Sequence, residues 1–273
     1  MPIEDDDRLP SPIGEADMAD AMALVEEAGW NQTEADWHYM LSAGRGLGFR
    51  DAEQGLVASS IVLPYPPDIG WIGMVLVRKS HRKRGLATRL LQEAIAFCRA
   101  SGLTPMLDAT PEGREVYRRL GFIDGPAIER WRGLGGGAGN SASSSLDLGR
   151  AIALDGPAFG ADRSRLLADL AGRPDTPAWQ NSAATLLGRR GRTATQMGPL
   201  LSESEGEAIA LCDLALKAIP GPVLIDIPRR ESGLRDLLAA RGFSVERGFT
   251  RMALDKPAHL GAAMRAIAGP ELG

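Results

Sequence analysis

The stretch Val75-Leu76-Val77-Arg78-Lys79-Ser80-His81-Arg82-Lys83-Arg84-Gly85-Leu86-Ala87-Thr88 decides how the first half of this chain is read. An apolar, strand-like run empties into a basic turn, and the turn opens a helix. A helix start leaves backbone N–H groups unpaired and carries a partial positive charge, so it attracts anions. Gly85 lets the backbone approach such an anion closely, and Ala87 keeps the first helical turn slim. The spacing Arg82-x-x-Gly85-x-Ala87 therefore points to a phosphate-binding turn, with a solvated basic cap as the plain alternative.

The residues after the turn sharpen that reading. Leu86, Leu90, Leu91, Ala94, Ile95 and Cys98 fall on one face of a helix that Ser101-Gly102 ends. Thr104 to Leu107 reads as a short buried strand. Pro111 then opens a second helix, at a position where its missing N–H costs nothing. This helix carries Tyr117 and stops at Gly121-Phe122.

Two motifs thus stand in order: Arg82-x-x-Gly85-x-Ala87, and Thr110-x-x-Gly113-x-x-Val116-Tyr117-x-x-x-Gly121-Phe122. Together they resemble the signatures of the GNAT superfamily of acyl-CoA-dependent N-acyltransferases, the second usually written N-x-x-A-x-x-L-Y-x-x-x-G-F. Thr110 replaces the usual Asn and Gly113 the usual Ala, but a threonine hydroxyl still caps a helix. The resemblance implies acetyl-CoA as acyl donor. Its pyrophosphate would lie on backbone N–H groups from Arg82, Lys83, Arg84, Gly85, Leu86, Ala87 and Thr88, and its pantetheine amides beside the splayed strand Val75 to Val77. The N–H of Val75 or Leu76 would meet the developing oxyanion. Tyr117 resembles the tyrosine that protonates the leaving thiolate, a phenol of pKa ~10 facing a thiol of pKa ~8.5. As a plain tyrosine it would be a core residue with its hydroxyl at the surface.

The acceptor side is less defined. Trp30, Asn31 and Trp37 sit between the first two helices, where the superfamily builds its acceptor pocket, and Asp108 is grouped with them; two tryptophans read equally as core. Asp68, Asp108, Glu112 and His38 all remain open as the general base. The acceptor implied is the amine of a small molecule. A protein or peptide amine, and a non-catalytic acyl-CoA sensor, are the competing readings.

Composition sets the frame. At 273 residues the chain has room for two domains, and 44% apolar with 24% charged residues is an ordinary soluble balance. Net charge of −4 argues against bulk attraction to nucleic acid or anionic membrane. The acidic start Met1-Pro2-Ile3-Glu4-Asp5-Asp6-Asp7 is unlike a secretory signal, and a cytoplasmic monomer or homodimer is expected. Cys98 and Cys212 read as two reduced core thiols. His38, His81 and His259 are scattered singly, and no metal site is expected.

The second half echoes the first. Gly121-Phe122 recurs as Gly242-Phe243, each before a strand-like stretch, Ile128 to Gly133 and Phe249 to Leu254. Pro222 to Ile227 corresponds to the strand at Pro105 to Leu107, Glu205 to Lys217 to the long helix, and Met197 to Leu201 to Gly73 to Val77. The chemistry is not repeated. Ser202-Glu203-Ser204-Glu205-Gly206-Glu207 replaces the basic turn, and Leu238 stands where Tyr117 would. The expected fold is α/β (α+β): two tandem GNAT-like lobes, each a mixed, mostly antiparallel sheet flanked by helices. The catalytic lobe is expected over 1–132, a Gly/Ser-rich linker over 133–145, and a degenerate lobe over 146–273. The whole chain also resembles two-lobed bacterial GNAT proteins, through Gly29-Trp30-Asn31-Gln32-Thr33, Asp155-x-x-x-Phe159-Gly160, Phe249-Thr250-Arg251-Met252 and the tail from Ala268. The tail at Glu271 is expected near the first lobe.

Overall fold

The computed structural model describes residues 9–137, 146–174 and 176–273. They group into two units: the chain up to Pro64 with Asp68–Pro105, and Tyr65–Pro67 with Met106–Gly273. Among the described residues no helix is long and apolar enough to cross a membrane.

The first unit holds β1 (Ser11–Pro12), α1 (Met18–Ala28), α2 (Glu34–Ala43), β2 (Arg45–Asp51), β3 (Gly55–Tyr65), β4 (Ile69–Val77) and α3 (Leu86–Ala100). Its strands run in the order β1-β2-β3-β4, with β2 antiparallel to both β1 and β3. Thr33 and Asp36 form a reciprocal capping box that starts α2. On α3 the buried residues are Leu86, Leu90, Leu91, Ala94, Ile95 and Cys98, the face expected from their spacing. Leu86 and Leu90 pack on Leu47, Phe49, Val57 and Ala58, and each such buried side chain stabilises by ~1.5–3 kcal/mol. That packing fixes where the start of α3 sits.

The second unit holds β5 (Thr104–Ala109, from Met106 onward), α4 (Pro111–Arg119), β6 (Phe122–Gly136), α5 (Leu148–Phe159), α6 (Ser164–Gly172), β7 (Ala178–Gln180), β8 (Ala184–Arg190), β9 (Thr195–Ser202), α7 (Glu205–Ala218), β10 (Pro220–Pro228), α8 (Ser232–Ala240), β11 (Ser244–Leu254) and β12 (Met264–Ala266). Its sheet runs β5-β11-β6-β10-β9-β8-β7, with β12 on β9. Among the described residues of this unit β9 and β10 run parallel and the other neighbouring strands antiparallel, so the sheet is mixed and mostly antiparallel, as expected.

The order β4-α3-β5-α4-β6 recurs as β9-α7-β10-α8-β11, and the sheet adds what the repeat alone did not foretell. The repeats exchange their last strands. β11 of the second repeat pairs with β5 of the first, β6 of the first pairs with β10 of the second, and β6 and β11 lie together in the middle.

This exchange corrects the expected linker. Gly133 to Gly136 are the end of β6, registered against Val223 to Pro220 on β10. Their glycines serve close packing: a Cβ on Gly133 would stand 2.3 Å from the Phe243 ring, and one on Gly135 2.1 Å from the Ile219 carbonyl oxygen. The rest of the expected linker, 138–145, lies outside the described residues. The two compact units divide in sequence between Pro105 and Met106.

Candidate functional site

The basic turn is built from backbone. A 3-10 turn at Lys79–His81 follows β4, and Gly85 caps α3 with φ +77°, the left-handed region that glycine enters without strain. Lys83 is also left-handed, at φ +63°. Two such residues curl the turn so that successive N–H groups converge, which makes an anion-binding concavity. From Lys83 to Thr88 the backbone N–H groups find no acceptor among the described residues. The guanidiniums beside them brace the turn: Arg82 Nε donates to the Val77 carbonyl at 3.2 Å and Arg84 Nη2 to the Ser80 carbonyl at 3.2 Å. His81 is buried, with Nδ1 2.9 Å from the Ser80 hydroxyl. Arg82 to Gly85 remain exposed.

Upstream, β4 carries a break that sequence reasoning missed. Met74 adopts φ +53° in mid-strand, and its carbonyl accepts a 2.8 Å hydrogen bond from the buried Ser59 hydroxyl on β3. Methionine has no preference for that conformation, so nothing in the sequence marks it. Val75 and Val77 are half-buried and come after this break.

In the second unit, Tyr117 sits on α4, whose first N–H groups are capped by Thr110: its Oγ1 accepts from Gly113 N at 3.2 Å. The half-buried ring packs against Phe122, centroids 5.9 Å apart and tilted. Gly113 makes the room, because a Cβ there would lie 2.9 Å from Tyr117 Cε2. Burial pushes the Tyr117 hydroxyl up to about 12.

Trp30 is half-buried and Asn31 buried in the turn before α2, while Trp37 lies on α2 with no exposed surface. Asp108 is corrected: it is neither an open acceptor contact nor an available base. Its side chain is buried on β5, and both its oxygens accept from Arg251 on β11, at 2.9 Å each. Burial pushes its carboxyl above the ordinary range while Arg251 opposes that push. Of the other base candidates, Glu112 is exposed and His38 Nδ1 stands 3.3 Å from Glu15 at the surface.

The second repeat lacks an equivalent anion turn and has also filled the neighbouring cleft. Glu205 and Glu207 occupy the first turn of α7, behind the Ser204 cap. β9 and β10 pair only from Thr195/Val223 to Met197/Ile225. Beyond that point β12 lies on β9 against Leu200 and Leu201, and the next residue, Ile267, donates its N–H to the Asp226 carbonyl on β10 at 2.9 Å. The fit is tight: at Gly198, φ +146°, a Cβ would stand 1.9 Å from the Ile267 carbonyl oxygen. The tail beyond is buried as well. Glu271 pairs with Arg189 within the second unit, and the Leu272 carbonyl accepts from Tyr65 Oη at 2.9 Å. Glu271 therefore meets a residue of β8 and its neighbour meets Tyr65, both within the second unit.

The sequence profile of the acetyltransferase (GNAT) family matches residues 16–122, and that of an acetyltransferase (GNAT) domain matches residues 151–263. An uncharacterized N-acetyltransferase from Bacillus subtilis (strain 168), YitH, is 26% identical over 246 residues, spanning 85% of this chain and 86% of its own. The fold is shared with a putative acetyltransferase from Pyrococcus horikoshii, with TM-score 0.81 at 19% identity over 97% of this chain and 95% of that one. A GCN5-related N-acetyltransferase from Sphaerobacter thermophilus matches with TM-score 0.62 at 14% identity, over 93% and 96% of the two chains. With both profiles matched in tandem and in the positions of the two repeats, the chain belongs to the GNAT acetyltransferases, of which it carries two domains.

Proposed function

We propose that this acyltransferase moves the acetyl group of acetyl-CoA to the amine of a small molecule, and that only the first repeat does so. The run of backbone N–H groups from Lys83 to Thr88, curled by left-handed Lys83 and Gly85, carries this reading, because a diphosphate is the ligand such a run suits. GNAT enzymes use acetyl-CoA as donor, and the second repeat offers carboxylates and a filled cleft instead.

In the reaction the amine nitrogen attacks the thioester carbon, a backbone N–H after the β4 break receives the oxyanion, and collapse breaks the C–S bond. The nitrogen loses its proton to solvent or a base; Tyr117 donates a hydrogen bond to the leaving sulfur, and any proton it hands over is replaced from solvent. With the hydroxyl at about 12, handing the proton to a thiol of pKa ~8.5 is uphill by roughly 5 kcal/mol. Tyr117 therefore stays protonated as a hydrogen-bond donor to the sulfur, and completes the transfer only together with proton loss from the amine.

The reading is tested by incubating the protein with acetyl-CoA and a panel of amines, including small polyamines, amino sugars, amino acids and lysine peptides, and following release of CoA. Release with a small amine is expected. Binding of acetyl-CoA without turnover on any amine would favour the sensor reading, and turnover on peptides alone would move the acceptor to proteins.

A further inference from the structure

We infer that Ser59 is a positioning residue for acyl transfer: it fixes the Met74–Val75 peptide so that the Val75 N–H, and not that of Leu76, is the oxyanion donor. This rests on the proposed transfer from acetyl-CoA. Two observations carry it. Met74 holds φ +53° in the middle of β4, a conformation that costs a non-glycine residue about 1–2 kcal/mol and persists only where surroundings enforce it. The enforcing contact is the Ser59 hydroxyl, which has no exposure and donates to the Met74 carbonyl at 2.8 Å.

Peptide geometry supplies the rest. In a trans peptide the C=O of one residue and the N–H of the next point in opposite directions. The Met74 carbonyl is turned toward β3 by Ser59, so the Val75 N–H of the same plane points away from β3, across the other edge of β4. Within a continuous strand, that group would be committed to the ladder according to register alone. Here a side-chain hydroxyl fixes the carbonyl of the same peptide. Ser60, the next residue of β3, is an internal control: its hydroxyl is also buried and finds no hydrogen-bond partner. It alternates to the opposite face of the strand.

The experiment uses the full-length protein and acetyl-CoA labelled with carbon-13 at the thioester carbonyl, and reads the bound carbonyl stretch by difference infrared spectroscopy. This readout needs no acceptor. Wild type is expected to lower the stretch relative to free acetyl-CoA, because the donor polarises the carbonyl. Ser59→Ala should lose most of that lowering while retaining acetyl-CoA affinity. Ser59→Thr, which keeps the hydroxyl, and Ser60→Ala should behave as wild type. Once an acceptor is in hand, Ser59→Ala should lower kcat by roughly tenfold or more with KM for acetyl-CoA unchanged, below the roughly 10²- to 10³-fold for removing an oxyanion donor outright. Should Ser59→Ala not fold, Ser59→Cys preserves the volume with a weaker donor and is read in its place. A stretch in Ser59→Ala equal to wild type, or an equal loss in Ser60→Ala, overturns the role of Ser59 and leaves the acetyl-transfer reading standing. Failure of the wild type to bind acetyl-CoA removes both.

Discussion

Arg251 on β11 and Asp108 on β5 lie directly opposite one another in the sheet, and the guanidinium returns two parallel hydrogen bonds of 2.9 Å to the carboxylate. The same arrangement stands at the other exchanged junction. Arg130 on β6 faces Asp226 on β10 with two bonds of 2.8 Å. The repeat relates Arg130 to Arg251 and Asp226 to Asp108, so one bidentate lock is used twice, once at each place where a strand crosses into the other repeat's sheet.

Removing either partner should leave a buried, uncompensated charge. Arg251→Ala and Asp226→Ala are each expected to destabilise by about 3–5 kcal/mol, and an apolar pair replacing both Arg251 and Asp108 by much less. Denaturant unfolding with the midpoint and slope compared across variants checks this. Equal losses for the single and paired replacements would mean that the ion pairs do not bind the exchanged strands.

Gly85→Glu should weaken acetyl-CoA binding by at least about tenfold, since it places a carboxylate among the N–H groups meant for the diphosphate. The left-handed φ of +77° adds strain for any side chain there. Calorimetric titration of wild type should give one site per chain. Two equivalent sites would show that the second repeat still binds cofactor despite β12.

Tyr117→Phe should lower turnover by roughly 10²-fold or more with acetyl-CoA affinity unchanged. Gly113→Ala should act in the same direction by pushing the ring, given the 2.9 Å approach to Cε2. Because burial raises the hydroxyl from its ordinary value to about 12, the protonated form survives through pH 10. An alkaline fall in rate near pH 9 must then belong to another group and should persist unchanged in Tyr117→Phe. The same shift favours folding below pH 10 and loses that contribution as pH rises from 10 toward 12.

Burial likewise raises the Cys98 and Cys212 thiols to about 12. Neither should alkylate in the native protein at pH 8, and both should do so in denaturant, as a mass shift would show. Modification of the folded chain at neutral pH would mean that one helix opens locally.

Much of this was legible beforehand because it comes from local rules. The helical face from Leu86 to Cys98, the Thr110 cap and the stop at Gly121 are set by spacing and cap chemistry within a few residues. The two repeats were visible for the same reason. The hidden part is non-local. Gly133 to Gly136 carry the composition of a linker, yet they are strand because β10 pairs with them, and at Gly133 and Gly135 Phe243 and Ile219 come so close that no side chain fits. Asp108 looks like a site residue until Arg251, 143 positions away, is found on it. The Met74 break has no sequence mark at all, since it is imposed from the adjacent strand by Ser59.

The exchange of strands also sets a timetable for the ribosome. β5 is synthesised early, but its partner β11 emerges only when most of the chain has been made, and the edge it leaves open is a template for the wrong partner meanwhile. A protein assembled this way completes its first repeat last, so an early stop in translation yields a fragment with neither half finished.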